Sequence, residues 1–254
     1  MEIGLSEWVS FITKMSSLSS EASSKMREYI IKNGGYANMD AREFIGYATA
    51  LAQKYGEGAA TLAALMYDAI AELSGLVLPA AEVADTVTYG EMAATMQGAA
   101  KFSKNEEYLS SIVGRFVKRA GADTTMKNAI RDGAEFAWIP HGDTCAYCIA
   151  LASNGWRTAS ESQLKNGHAE HIHSNCDCMY AVRHNKDTIY KGYSPEYYRE
   201  QYDSAEGRTA KQKINAMRRQ YYAENKEEIN EQKRDAYEKR KELESSGAEE
   251  EKVV

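Results

Sequence analysis

WIPHGDTCAYCIALASNGWRTASESQLKNGHAEHIHSNCDCMYAVRH, residues 138–184, holds all four cysteines of the chain. Cys145 and Cys148 form a CxxC pair and Cys176 and Cys178 a CxC pair, with 27 residues between the pairs. Four of the five histidines, His141, His168, His171 and His173, lie beside or between these pairs. Two tight pairs of soft ligands suit a tetrahedral ion, because each pair spans one edge of the tetrahedron. The expected ligands are Cys145, Cys148, Cys176 and Cys178, with His173 able to replace one sulfur, and the expected ion is a structural zinc. Two disulfides, or free thiols packed as small hydrophobes, are the alternatives. Metal and disulfide readings alike place residues 145–148 beside 176–178.

The elements around the pairs are short. Phe136–Pro140 reads as an extended run stopped by proline. Gly142–Thr144 reads as a turn into a helix that starts at the CxxC and carries Cys145, Cys148, Ile149 and Ala152 on one face. Asn154-Gly155 is a turn signal, Trp156–Thr158 a candidate strand, and Cys178–Arg183 a second. A segment of this size, 134–194, builds little core by itself. A metal or other cross-link would supply the missing stability.

Upstream, the 3.6-residue period dominates. Trp8, Phe11, Ile12 and Met15 define one face of a helix over residues 5–32, ended by Gly34-Gly35. Asn38 or Asp40, the latter with Glu43 three residues on, caps a second helical stretch that continues to Leu73, with a kink expected at Gly56 and Gly58. Gly75–Thr88 is a connector, and Tyr89–Ala100 is helical. Asn105–Ala120 is helical, broken at Gly121, and Asp123 or Thr124 caps a further helix to about Gly133. Residues 1–133 therefore read as a helical domain.

Downstream, Ser194-Pro195 starts another helix. From Arg208 the chain is mostly charged. Tyr222, Ile229, Ala236 and Leu243 recur every seven residues, but no second apolar position accompanies them as a coiled coil needs. Residues 195–254 read as a charged helical tail, frayed after Ser245. The fold class is thus mainly α, within α+β: a helical domain, a small cysteine- and histidine-rich α/β module, and a charged helix. The net charge of −6 argues against a protein built to coat nucleic acid. No apolar run reaches the roughly 20 residues of a membrane span, and the N-terminus lacks a secretory pattern.

RDGAEFAWIPHGDTCAYCIALASNGW, HIHSNCDC and YKGYSPEYYREQYDSA together resemble the minor head proteins of tailed bacteriophages, the Mu F-like head morphogenesis family. The matching positions are Trp138, Thr144, Cys145, Cys148, His173, Cys176, Cys178, Gly192, Tyr193 and Pro195, and the likeness spans roughly residues 40–205. The resemblance implies a structural, non-catalytic protein of the phage head. Its implied partners are the portal and major capsid proteins and packaged DNA, with no membrane and no small-molecule substrate. Its implied location is the virion, and the host cytoplasm before assembly.

Two enzyme readings compete with it. A zinc deaminase needs H-x-E ahead of PC-x-x-C. His168-Ala169-Glu170 supplies the first, but the CxxC lies upstream of it and the downstream pair is CxC without proline, so the order is wrong. An HNH-like metal-dependent nuclease would draw on His171, His173, Asn175, His184 and Asn185, which fall in no clear ββα-metal pattern. The nuclease is kept as the alternative function.

Overall fold

The structure, a computed structural model, describes residues 2–142, 144–162, 172, 176 and 178–250. Helix α1 (Leu5–Lys32) buries Trp8, Phe11, Ile12 and Met15, the face that their spacing defined. The Asp40 carboxylate caps α2 (Ala41–Leu73), accepting from the backbone N–H of Arg42 and Glu43 at 2.8 and 3.0 Å. Such a cap contributes about 1 kcal/mol. Thr88 and Glu91 cap α3 (Tyr89–Phe102) reciprocally.

Two glycine expectations are corrected. Helix α2 runs unbroken through Gly56 and Gly58, and α4 (Glu106–Arg131) runs through Gly121. Gly56 and Gly121 mark close approaches. A Cβ at Gly56 would lie 3.2 Å from Thr86 and 3.4 Å from Ala120. One at Gly121 would lie 2.7 Å from Met15 Cε and 3.3 Å from the Ala59 carbonyl oxygen. At Gly114 it would lie 2.9 Å from the Ser19 carbonyl oxygen. Burying α4 against α1 and α2 outweighs the helix cost of glycine, about 1 kcal/mol each. Thr124 caps nothing: its hydroxyl donates to the Ala120 carbonyl, four residues back, at 2.8 Å.

The Gly75–Thr88 connector is held by side chains from these helices. Asn128 brackets Glu82, accepting from its N–H at 2.9 Å and donating to its carbonyl at 2.8 Å. Thr124 Oγ1 accepts from the Ala84 N–H, and Asp68 from the Ala81 N–H. Backbone groups of an irregular segment thus find side-chain partners.

Gly133 (φ +66°) ends α4, with the Ala134 N–H on the Ala129 carbonyl at 2.8 Å. The chain passes directly into β2 (Glu135–Ile139). This strand is the centre of an antiparallel sheet, flanked by β3 (Arg157–Thr158) and β4 (Met179–Arg183). Helix α5 (Ala146–Ala152) lies between β2 and β3 in the chain. Glu135 faces Arg183 across the β2–β4 pair, and their side chains meet at 2.7 Å. The Arg183 guanidinium also lies 4.6 Å over the Trp156 ring.

A second pairing has no counterpart in the sequence reading. Strand β5 (Ile189–Tyr190) runs parallel to β1 (Glu2–Ile3). The Tyr190 hydroxyl donates to the Val182 carbonyl at 2.7 Å, and its ring meets Trp8 edge-on at 5.1 Å. Helices and sheet consequently share one hydrophobic core, within a compact unit spanning 1–199. The change of pattern at residue 134 marks a change of secondary structure inside that core, not its edge.

Helix α6 (Pro195–Ser204) starts as its sequence indicates, with Ser194 Oγ accepting from the Tyr197 N–H at 3.3 Å. The second unit, 200–254, contains α7 (Ala210–Glu224) and α8 (Lys226–Glu250). The single tail helix is therefore corrected to two. They part at Asn225, which leaves helical geometry and folds its side-chain amide onto the Tyr221 carbonyl at 2.9 Å. Helix α8 continues to Glu250, past the expected fraying point. The chain is mainly α with one small core sheet, an α+β protein. Among the described residues no helix is long and apolar enough to cross a membrane.

The glycine contacts are testable. Gly114→Ala forces a methyl onto the Ser19 carbonyl and should lower stability by about 1–3 kcal/mol. Gly98→Ala, with nothing within 4 Å of the new Cβ, should raise it by about 0.5–1 kcal/mol. Urea unfolding of both variants checks the pair; equal effects would refute the packing role of Gly114.

His184 gives a pH test. Its ring packs edge-on to Tyr67 at 5.3 Å, and burial holds its pKa below the ordinary 6.5, partly opposed by the Asp132 charge. The unfolded chain therefore binds this proton first. The stability His184 contributes is present above about pH 6.5 and is lost as pH falls through the folded value. Between pH 7 and 5 the melting temperature should fall less in His184→Gln than in the parent protein.

Candidate metal centre

The register of the sheet assembles the site. Ile139, the last residue of β2, faces Met179, the first of β4. The chain leaving β2 and the chain entering β4 therefore lie at the same end of the sheet. The first runs through Gly142 (φ +63°) to Cys145 and α5; the second arrives through Cys176 and Cys178. Cys145 is the N-cap of α5 and half-exposed, while Cys148, one turn on, is fully buried with Ala152. The four-residue face expected for this helix is thus narrower, with Ile149 only partly buried.

Three sulfurs converge. The Sγ atoms of Cys148, Cys176 and Cys178 all lie within 4.8 Å of one another, and Cys148 and Cys176 approach to 3.2 Å. Sulfurs held about 2.3 Å from one tetrahedral zinc sit about 3.8 Å apart, so these three suit three corners. Cys145, an expected ligand, interacts with Cys148 but is not part of this three-sulfur group. His173, the other expected ligand, lies outside the described residues, as do His168 and His171. His184 sits away from the sulfurs, against Tyr67.

The donors around the sulfurs suit thiolate. Cys176 Sγ accepts the Cys178 N–H at 3.3 Å, and Cys178 Sγ accepts the backbone N–H of His141. Such bonds fix ligand orientation and favour the charged form. The sulfurs act on one another in the opposite sense. Hydrogen bonds from Cys145, then Cys176 and Cys178, with burial, push the Cys148 thiol far above its ordinary value. For Cys178 the bond with Cys148 lowers the pKa, but the bond with Cys176 and burial outweigh it, so this thiol also rises. Without a cation the cluster holds neutral thiols; a bound divalent ion reverses that balance and displaces the protons. The donor set fits zinc: soft, clustered and buried.

One residue at the site escaped the sequence reading. Lys118, in the middle of α4 and only 3% exposed, donates from Nζ to the Cys176 carbonyl at 2.6 Å. Its one sequence signal is a lysine directly after the apolar stripe Leu109, Ile112, Val113, Phe116 and Val117. The aromatic residues after the module pack inward. The Tyr193 hydroxyl donates to the Ala152 carbonyl at 3.0 Å and its ring stacks at 6.1 Å on Tyr198; Tyr197 stays exposed.

A family model described as VG15 protein matches residues 2–205, a span that takes in α1 to α6, the strands and every cysteine. No curated protein and no solved structure matches the chain.

The burial pattern predicts the thiol chemistry of the metal-free protein. Cys145 alone is partly exposed, and the other three cysteines are buried. At pH 7 in native buffer a disulfide reagent should label Cys145 quickly and the others only on unfolding. Fast native labelling of Cys148 or Cys178 would contradict the packing.

Proposed function

The chain belongs to the VG15 family, which points to a phage protein, and on that premise we propose that it is a structural minor head protein of a tailed phage. It works by contact, binding the portal and major capsid proteins during head assembly and lying close to packaged DNA. The observation that carries this reading is the sulfur cluster. Three buried cysteines close the open end of a small sheet that shares its core with long helices. A fourth ligand from Cys145 or His173 would leave no open position for water or substrate, as a structural zinc site requires. The zinc, held by Cys148, Cys176, Cys178 and either Cys145 or His173, stabilises the module and takes no part in a reaction.

The nuclease alternative draws no support from His184, whose imidazole is committed to packing on Tyr67. Exposed Tyr197 and the charged helices α7 and α8 are the surfaces offered to larger assemblies. The protein spends its time in the host cytoplasm until assembly and in the virion afterwards.

Deleting the gene from the phage and imaging the products tests the role. Malformed or unfilled heads, together with the protein in purified wild-type particles, are expected. Normal, infectious heads and absence of the protein from particles would overturn the reading.

A further inference from the structure

Resting on the reading that the protein lies close to packaged DNA, we propose that the basic face of α7 binds the phosphate backbone of double-stranded DNA without regard to base sequence. The charge of the chain is unevenly spread. Residues 207–223 hold five lysines and arginines and no aspartate or glutamate, in a chain of net charge −6. Helix α8, next in the chain, is acidic, with nine carboxylates against six cations. Yet the cations of α7 are not spent on carboxylates. Among the described residues Lys213 alone of the five is paired, 3.6 Å from Asp203. Arg208, Lys211, Arg218 and Arg219 are exposed, with no acidic side chain in ion-pair range.

Helical spacing aligns them. Lys211, Asn215, Arg218 and Tyr222 recur at i, i+4, i+7 and i+11, one stripe about 16 Å long. Arg219 lies beside that stripe, and Arg208 stands just ahead of the helix. Arg208 and Arg219 line one open hollow with Gln212 and Asn215, where Glu206 is the one acidic residue. The Thr209 hydroxyl already accepts the Gln212 N–H, so the side chains rather than the helix end are the anion ligands. Duplex DNA suits this face better than a protein does. Three of the four cations are arginine, whose planar fork matches phosphate. Asn215 and Gln212 among them are ordinary donors to phosphate oxygens. A protein partner needs an apolar centre to its interface, and Ile214, Ala216 and Met217 of α7 are already partly covered. DNA presents a charge every ~1.7 Å of its axis, so a stripe of this length meets several phosphates.

The test titrates the full chain against a fluorescently labelled duplex of arbitrary sequence, read by anisotropy from low to physiological salt. The logarithm of affinity should fall against that of salt with a slope of about −3 to −4, four phosphate contacts at most. Replacing Arg208, Lys211, Arg218 and Arg219 together by glutamine should abolish the salt-sensitive binding. Arg218→Gln/Arg219→Gln should flatten the slope by about two, and decides the matter if the fourfold variant does not fold. A charge-matched control replaces Lys14, Lys32, Lys54 and Lys101, exposed on other helices, and should bind like the parent. Equal loss in the control overturns the proposal, since net charge alone then accounts for binding. A parent that ignores DNA, or binds it independently of salt, overturns it too. So does a salt-sensitive dimer in place of DNA binding, lost with the same four substitutions, because α7 then pairs with the acidic helix of a second copy. Purified protein that fails to bind DNA refutes this proposal alone, whereas particles that lack the protein refute the head-protein reading.

Discussion

The antiparallel register of β2 and β4 is the constraint on which the site depends. With Ile139 opposite Met179, the segments beyond both strands emerge at one end of the sheet, and each carries a cysteine pair. A slip of one residue would turn every side chain of β4 to the other face. It would also carry Cys178 away from Cys148. Two contacts hold the register: the Glu135–Arg183 pair at 2.7 Å and the Trp138–Tyr180 rings 4.7 Å apart.

Helix α4 carries the rest of the molecule. It is buried along most of its length, with Gly114 set against Ser19 of α1 and Gly121 against Met15 of α1 and Ala59 of α2. Its polar residues are spent internally. Thr124 and Asn128 fasten the connector, and Lys118 reaches the cysteines. Buried polar groups need partners, and here the partners are backbone groups of segments that lack regular pairing of their own. A helix that would read as too polar for a core is thereby the element that orders two loops.

The sulfur cluster carries a conflict between neighbours. Thiols packed this closely and this deeply resist ionisation, whereas the backbone N–H groups of His141 and Cys178 point at sulfur in the way that favours thiolate. A divalent cation resolves the conflict, because its charge outweighs both burial and mutual repulsion. The match of the VG15 family over residues 2–205 covers this cluster and its whole scaffold, while α7 and α8 lie beyond it.

The sequence by itself determined the elements with local causes. The face of α1 follows from the spacing of Trp8, Phe11, Ile12 and Met15, the start of α2 from Asp40, and that of α6 from Ser194-Pro195. The cysteine spacing singled out Cys145, Cys148, Cys176 and Cys178 as candidate ligands, and the structure gathers the last three within 4.8 Å. What it could not determine depended on partners distant in the chain. Gly121 looks like a helix breaker until Met15 and Ala59 are set against it. Two-residue strands such as β1 and β5 have no periodicity to read, and only their mutual pairing makes them strands. Lys118 looks like a solvated charge because the carbonyl that accepts its proton is 58 residues away. Local propensity is written in neighbouring residues, but close approach and burial arise only when separate segments meet, and tertiary packing alone decided those.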